Sequence, residues 1–149
     1  MRKPADNKHP IHDLLRNRWS PRAFSPARIE PGKLSSLFEA ARWSPSCANR
    51  QPWSFLFVSR EEPEPFGRLL ATLTEKNQRW AHAVPVLVLT VTRRVLEDGS
   101  ENPWAQYDLG QSVAHLSVEA EFLGLSVHQM AGFDAEAARR EFDIPAEFD

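Results

Sequence analysis

Changes in the spacing of apolar residues divide the chain into elements. In IHDLLRNR, Ile11, Leu14, Leu15 and Arg18 fall at helical spacing, which predicts a short amphipathic helix ending near Arg18 in basic residues that suit its C-terminus. SPRAFSP cannot extend it: Pro21 and Pro26 lack a backbone donor and bias the residues before them toward extended conformations, so a loop or short edge strand follows. Pro31 then opens a helix with Leu34, Leu37, Phe38 and Ala41 on one stripe, stopped at Ser44-Pro45.

Beyond it the period shortens. WSFLFVS, residues 53 to 59, is aromatic and β-branched and predicts a strand, and PVLVLTVT, residues 85 to 92, is apolar on both faces like a buried central strand. Between them Phe66, Leu69, Leu70 and Leu73 mark a helix. After the polar turn LEDGSENP comes a long helix carrying Leu109, Val113, Leu116, Ala120 and Leu123, with Gly124 placed to cap it. LSVHQM, residues 125 to 130, predicts a third strand, and Asp134 caps a last helix reaching about Phe142. Strands alternating with helices indicate a layered α/β or α+β domain. Three strands make a thin sheet for this number of helices.

Charge narrows the function classes. Eighteen basic and twenty acidic residues give a net charge of -2, so no overall field draws the chain to nucleic acid or to an anionic membrane, and small-molecule chemistry is the better expectation. Cys47 is the only cysteine, which excludes an internal disulfide, leaves nothing resembling a zinc site and fits a reducing, cytoplasmic setting. No run approaches the roughly 20 apolar residues of a membrane span, and MRKPADNKHP lacks the apolar region of a signal peptide. Residues 1–10 therefore read as a polar arm and residues 11–149 as a single domain.

Three clusters carry candidate chemistry. RNRWSPR places Arg16, Arg18, Ser20 and Arg22 beside a helix end, a donor set suited to a phosphate or simply a solvated basic turn. PSCANRQPW offers Ser46, Cys47 and Asn49 on a backbone held by Pro45 and Pro52, either a site for small donors and acceptors or a plain helix-to-strand connection. In EKNQRWAHAVP, Asn77 and Trp80 lead into the buried strand, where an amide reads a ring edge or caps a turn. The five histidines are scattered, and His9 and His12 have no third ligand in sequence, so no metal site is expected.

Taken in order, RWSPRAF, AARWSPSCANRQPWSF, NQRWAHAVPVLVL, YDLGQSVAHLSVEAEFLGL and HQMAGFD with its IP ending resemble the FMN-dependent nitroreductase family over nearly the whole chain. The resemblance implies a three-layer α-β-α fold of the α+β class with a mixed central sheet, and an obligate homodimer holding FMN at its interface. It implies that Arg18 and Ser20 contact the phosphate and ribityl chain, and that Arg22 lies near the pyrimidine edge of the isoalloxazine, where Asn77 reads the same edge. The loop of Pro45, Ser46, Cys47 and Asn49 lines the partner's flavin, and the backbone of Ala131 and Gly132 faces flavin N5 and O4. Trp80 stands where some relatives carry a lysine. The family continues past the position of Asp149 with a strand and a C-terminal segment, so the chain is expected to be incomplete at that end.

The implied activity is hydride transfer from NADH or NADPH through flavin N5 to a small electron-poor acceptor, a nitroaromatic or quinone, in a ping-pong cycle with no dedicated catalytic side chain. The alternatives are a flavin-binding protein with little turnover, or a family member specialised as a dehydrogenase or a flavin-processing enzyme.

Overall fold

The aromatic and β-branched run WSFLFVS is realised as strand β1 (Trp53–Ser59), which pairs antiparallel with β2 (Val86–Thr92) so that Leu56 lies opposite Leu89 and Phe57 opposite Val88. This is a computed structural model, and it describes residues 3–149. Because side chains alternate across a strand, the pair sends two apolar sets in opposite directions. Leu56, Val58, Leu87 and Leu89 join one core with Phe66, Leu69, Leu73, Ala81 and Val84, supplied mainly by helices α3 (Pro63–Ala71) and α4 (Glu75–Ala81) and the segments that follow them. Phe66 and Leu69, at 6% and 4% exposure, each contribute about 1.5–3 kcal/mol of burial.

The other face is covered by α2 (Pro31–Arg42), whose Phe38 ring lies 5.5 Å from Phe55 and 5.4 Å from Phe57. Helix α2 packs in turn on α5 (Ala105–Phe122), and Leu37, Ala41, Leu116 and Ala120 form a second core there. The result is helix, sheet, helix: the three-layer α+β arrangement expected. Two shorter helices, α1 (Asp13–Asn17) and α6 (Ala135–Glu141), complete the order, the latter capped as expected by the Asp134 carboxylate accepting from the Ala137 N–H at 2.9 Å.

Gly124 ends α5 at φ +74°. The Leu125 N–H reaches the Ala120 carbonyl (2.8 Å) and the Gly124 N–H that of Glu121 (3.1 Å), the two bonds of a Schellman cap.

The sheet differs from expectation. Residues 125–130 form no strand; among the described residues the sheet is the single antiparallel pair. The segment instead crosses from one core to the other, with Leu125 and Val127 packed on the α2–α5 core, Met130 on the other and His128 bonded to a loop, so its polar groups are not aligned for a ladder. Nor is β2 covered on both faces, since Val88 is 39% exposed. At the end of β2, Thr92 and Asp149 exchange backbone hydrogen bonds of 2.7 and 2.9 Å, and the Arg94 N–H donates to Glu147 at 2.9 Å, so DIPAEFD runs beside residues 92–94. Arg139 of α6 holds that segment by donating to the carbonyls of Ile144, Pro145 and Phe148.

Of the polar arm, Met1 and Arg2 lie outside the described residues. Its remainder has no regular structure but rests on the α1 region, with the Ala5 N–H on the Arg16 carbonyl (2.7 Å) and the Lys3 ammonium 5.0 Å from the Trp19 ring. No helix among the described residues is long and apolar enough to cross a membrane.

Candidate functional site

The basic cluster sits where α1 gives out. Arg18 caps that helix, its N–H on the Leu14 carbonyl at 3.2 Å, and Pro21 prevents continuation. Pro21 is buried, while Arg18, Ser20 and Arg22 are exposed. Among the described residues neither Arg18 nor Arg22 forms an ion pair, whereas Arg16 lies 3.9 Å from Asp13 and Arg28 3.2 Å from Glu61.

This loop is stapled to residues distant in sequence. His128 bonds through Nδ1 to the Pro21 carbonyl at 2.7 Å. The Trp80 ring lies between Phe24, stacked at 5.9 Å, and the His128 imidazole at 4.6 Å. One turn earlier on α4, Asn77 donates through Nδ2 to the Gly132 carbonyl (3.0 Å), which also accepts from the Thr74 N–H (2.9 Å). The approach is close: a Cβ at position 132 would lie 2.7 Å from Asn77 Nδ2 and 3.0 Å from Thr74 Oγ1, so those side chains would have to give way. The N–H groups of Ala131 and Gly132 have no partner among the described residues.

The second cluster forms a tight turn. Cys47–Asn49 make a single 3-10 turn, and Ala48 (φ +52°), Asn49 (φ +54°) and Gln51 (φ +47°) are all left-handed. Without glycine, each such residue costs on the order of 1–2 kcal/mol, less for asparagine. Internal bonds offset part of this: Ser46 Oγ accepts from the Gln51 N–H (3.0 Å), and Gln51 Nε2 donates to Asn49 Oδ1 (2.9 Å). Arg50 reaches the Cys47 Sγ at 3.7 Å. The turn is tied to the body by Asp108 of α5, 2% exposed, whose Oδ2 accepts from the Cys47 N–H at 3.0 Å. Just before the turn, at the end of α2, the Arg42 guanidinium holds the Glu39 carboxyl below its ordinary range, against some desolvation, and the Trp43 indole N–H adds to the effect.

The candidates thus fall into two groups. The loop of Arg18, Ser20 and Arg22 is tied through Pro21 and Phe24 to His128 and Trp80, and Asn77, one turn before Trp80, is bonded to Gly132; the loop of Pro45, Ser46, Cys47 and Asn49 is anchored through Cys47 on α5. No hydrogen bond joins the two groups among the described residues. A groove of about 670 Å³ lies elsewhere, lined by Leu34, Phe38, Phe57 and Arg60, and touches none of them. Sequence reasoning missed Asp108 and His128. The signal for Asp108 was its place on the buried stripe Ala105, Asp108, Ser112, Leu116, where an acid is unexpected; for His128 no local signal existed.

Residues 15–149 match the model of the nitroreductase family. The chain belongs to that family. A Streptomyces coelicolor protein named "Putative NADH dehydrogenase/NAD(P)H nitroreductase" is 29% identical over 140 residues, covering 80% of this chain and 68% of that protein. A crystal structure described as an oxidoreductase containing FMN superposes with a TM-score of 0.91 at 30% identity, over 97% of this chain and 74% of that one. An FMN-dependent nitroreductase of Clostridium difficile R20291 shares the fold, with a TM-score of 0.75 at 19% identity over 91% of this chain and 80% of its own. The three layers described above are thus those of a nitroreductase fold.

Proposed function

We propose that the protein is an FMN-dependent oxidoreductase that takes hydride from NADH or NADPH and passes it to a small electron-poor acceptor such as a nitroaromatic or quinone. The observation that carries this reading is a set of donors linked through Pro21, His128, Trp80 and Asn77: two guanidiniums without an ion pair and a hydroxyl, with the Ala131 and Gly132 N–H groups that have no partner among the described residues. That donor set fits FMN, which presents a dianionic phosphate at one end and carbonyl and ring-nitrogen acceptors at the other. The nitroreductase family and the FMN-containing structural neighbour support the same reading.

Bound FMN would supply the redox chemistry, accepting and returning hydride at N5. The chain's own part is to bind, orient and shield. Arg18 and Ser20 hold the phosphate and ribityl chain by charge-assisted hydrogen bonds. Arg22 places a fixed cation near the pyrimidine edge, where negative charge gathers on reduction. Asn77 spends one N–H on Gly132, leaving its other N–H and its oxygen for that edge. Ala131 and Gly132 act through their backbone, and Pro45, Ser46, Cys47 and Asn49 keep the ring's other surroundings small and polar.

Dimerisation belongs to the same proposal. Tyr107 and Phe122, 68% and 67% exposed, lie with Gly110 and Ala114 on one stripe of α5, and Trp43 at the end of α2 and Trp104 at the start of α5 are exposed as well, at 72% and 53%. Apolar exposure of this kind marks an interaction surface. A second copy there would bring the Cys47 loop of one protomer to the Arg22 region of the other, completing a site from two groups that no hydrogen bond joins among the described residues of one chain. FMN titration followed by flavin fluorescence, with chromatography of the heat-released chromophore, tests the cofactor. Tight binding of FMN in preference to FAD is expected, and failure to bind FMN would overturn the reading.

A further inference from the structure

We propose that Asp108 is a positioning residue for the flavin loop, its buried carboxylate holding residues 47–51 in the left-handed form that presents Ser46, Cys47 and Asn49 to the ring. This rests on the FMN reading above for what the loop meets, but the grip itself is visible in the chain. Three of the five residues from 47 to 51 have positive φ, and none is glycine. Such a backbone persists only where its surroundings over-determine it.

Four of the polar contacts that could do so lie within the loop, between Ser46 and Asn49, Cys47 and Arg50, Ser46 and Gln51, and Gln51 and Asn49. These move with it if it opens. The Cys47 N–H···Asp108 bond is the one hydrogen bond among the described residues that ties residues 46–51 to another element. It is also charge-assisted and sheltered, and Asp108 stands on an 18-residue helix packed against both α2 and the sheet, a rigid base for a strained loop. A carboxylate buried to this extent, on a stripe shared with Ala105, Ser112 and Leu116, is costly unless its one hydrogen-bond partner matters.

The test compares wild type, Asp108→Leu, which lacks the acceptor at similar size, and Asp108→Asn, whose amide oxygen accepts the same N–H. Two readings are taken: amide hydrogen exchange of Cys47, Asn49, Arg50 and Gln51, and the FMN dissociation constant by fluorescence quenching. Far-UV circular dichroism and protection of α5 monitor the fold. In Asp108→Leu all four amides should exchange about tenfold faster or more, and FMN should bind about tenfold more weakly, while Asp108→Asn stays within about threefold of wild type on both. Should Asp108→Leu not fold, Cys47→Pro removes the same bond from the donor side. Ser46 at φ −146°, ψ 157° already has the conformation that proline demands of its predecessor, and Cys47→Ala serves as the control. Wild-type exchange at Asn49, Arg50 and Gln51 in the Leu variant overturns the grip on the loop, and faster exchange with unchanged FMN affinity overturns its link to the flavin. Wild-type protein that binds no FMN overturns the functional reading instead, while the exchange comparison still decides whether Asp108 holds the loop.

Discussion

His128 donates its Nδ1–H to the carbonyl of Pro21 at 2.7 Å, joining residues 107 positions apart. A carbonyl only accepts, so this bond fixes the tautomer and leaves Nε2 as the imidazole's other hydrogen-bonding atom. It also fixes the middle of SPRAF, so the backbone between Ser20 and Arg22 is held by a side chain from a distant segment. His128→Phe keeps a ring against Trp80 but removes the donor. The unpaired Pro21 carbonyl should cost about 1–3 kcal/mol in urea denaturation and weaken FMN binding. Unchanged affinity in a destabilised variant would show that the loop is held by other contacts.

The two exposed arginines should separate by readout. Arg18→Ala is expected to raise the FMN dissociation constant by about tenfold or more, in keeping with about 1.5–3 kcal/mol for a charged hydrogen bond, and to leave the bound flavin's potential unchanged. Arg22→Ala should lower the potential. A cation within about 4 Å at an effective dielectric of about 20 sets a ceiling of about 4 kcal/mol, or about 90 mV for two electrons, and solvent around Arg22 brings the expectation to tens of millivolts. Potentiometry with FMN saturating decides; equal potentials in wild type and Arg22→Ala would remove Arg22 from this role.

Asn77 and Gly132 should behave as a coupled pair. Gly132→Ala drives a methyl to 2.7 Å from Asn77 Nδ2 and so displaces the amide that bonds its own carbonyl. Asn77→Ala removes that bond but also clears the space. The double variant should therefore be more stable than the sum of the single losses predicts, by roughly 0.5–3 kcal/mol in a double-mutant cycle. Strict additivity would mean that the backbone turn, not the amide, absorbs the methyl.

Gly124→Ala supplies a control at a position outside both loop clusters. Nothing lies within 4 Å of the position its new methyl would take, so the cost comes from φ +74° alone, about 1–2 kcal/mol. Stability should fall while FMN affinity of the folded protein is unchanged. A loss of affinity comparable to that of His128→Phe would mean that the cap of α5 and the segment after it communicate with the site.

Much of this architecture was legible because its signals are local. Pro31 opens α2, Ser44-Pro45 follows its end, and the aromatic and β-branched run at residues 53–59 matches β1 residue for residue. Helix α4 was not legible: EKNQRWA ends in Trp80 and Ala81 without an apolar stripe before them. LSVHQM has strand composition, but strand formation depends on a neighbour with free ladder groups, and here His128 and Met130 are engaged in packing and loop contacts instead. The left-handed turn at 48–51 was hidden for a similar reason. With no glycine to announce positive φ, only the Asp108 contact from α5, 61 positions away, shows why the turn persists.

The most direct measurement is the absorbance spectrum of the FMN-reconstituted protein before and after anaerobic addition of NADH or NADPH, followed by an oxidised quinone. The account predicts loss of the oxidised-flavin band with either or both donors and its return when the quinone is added. A flavin that stays bound and oxidised in the presence of both nicotinamides would contradict it, leaving a protein that holds FMN without turning it over.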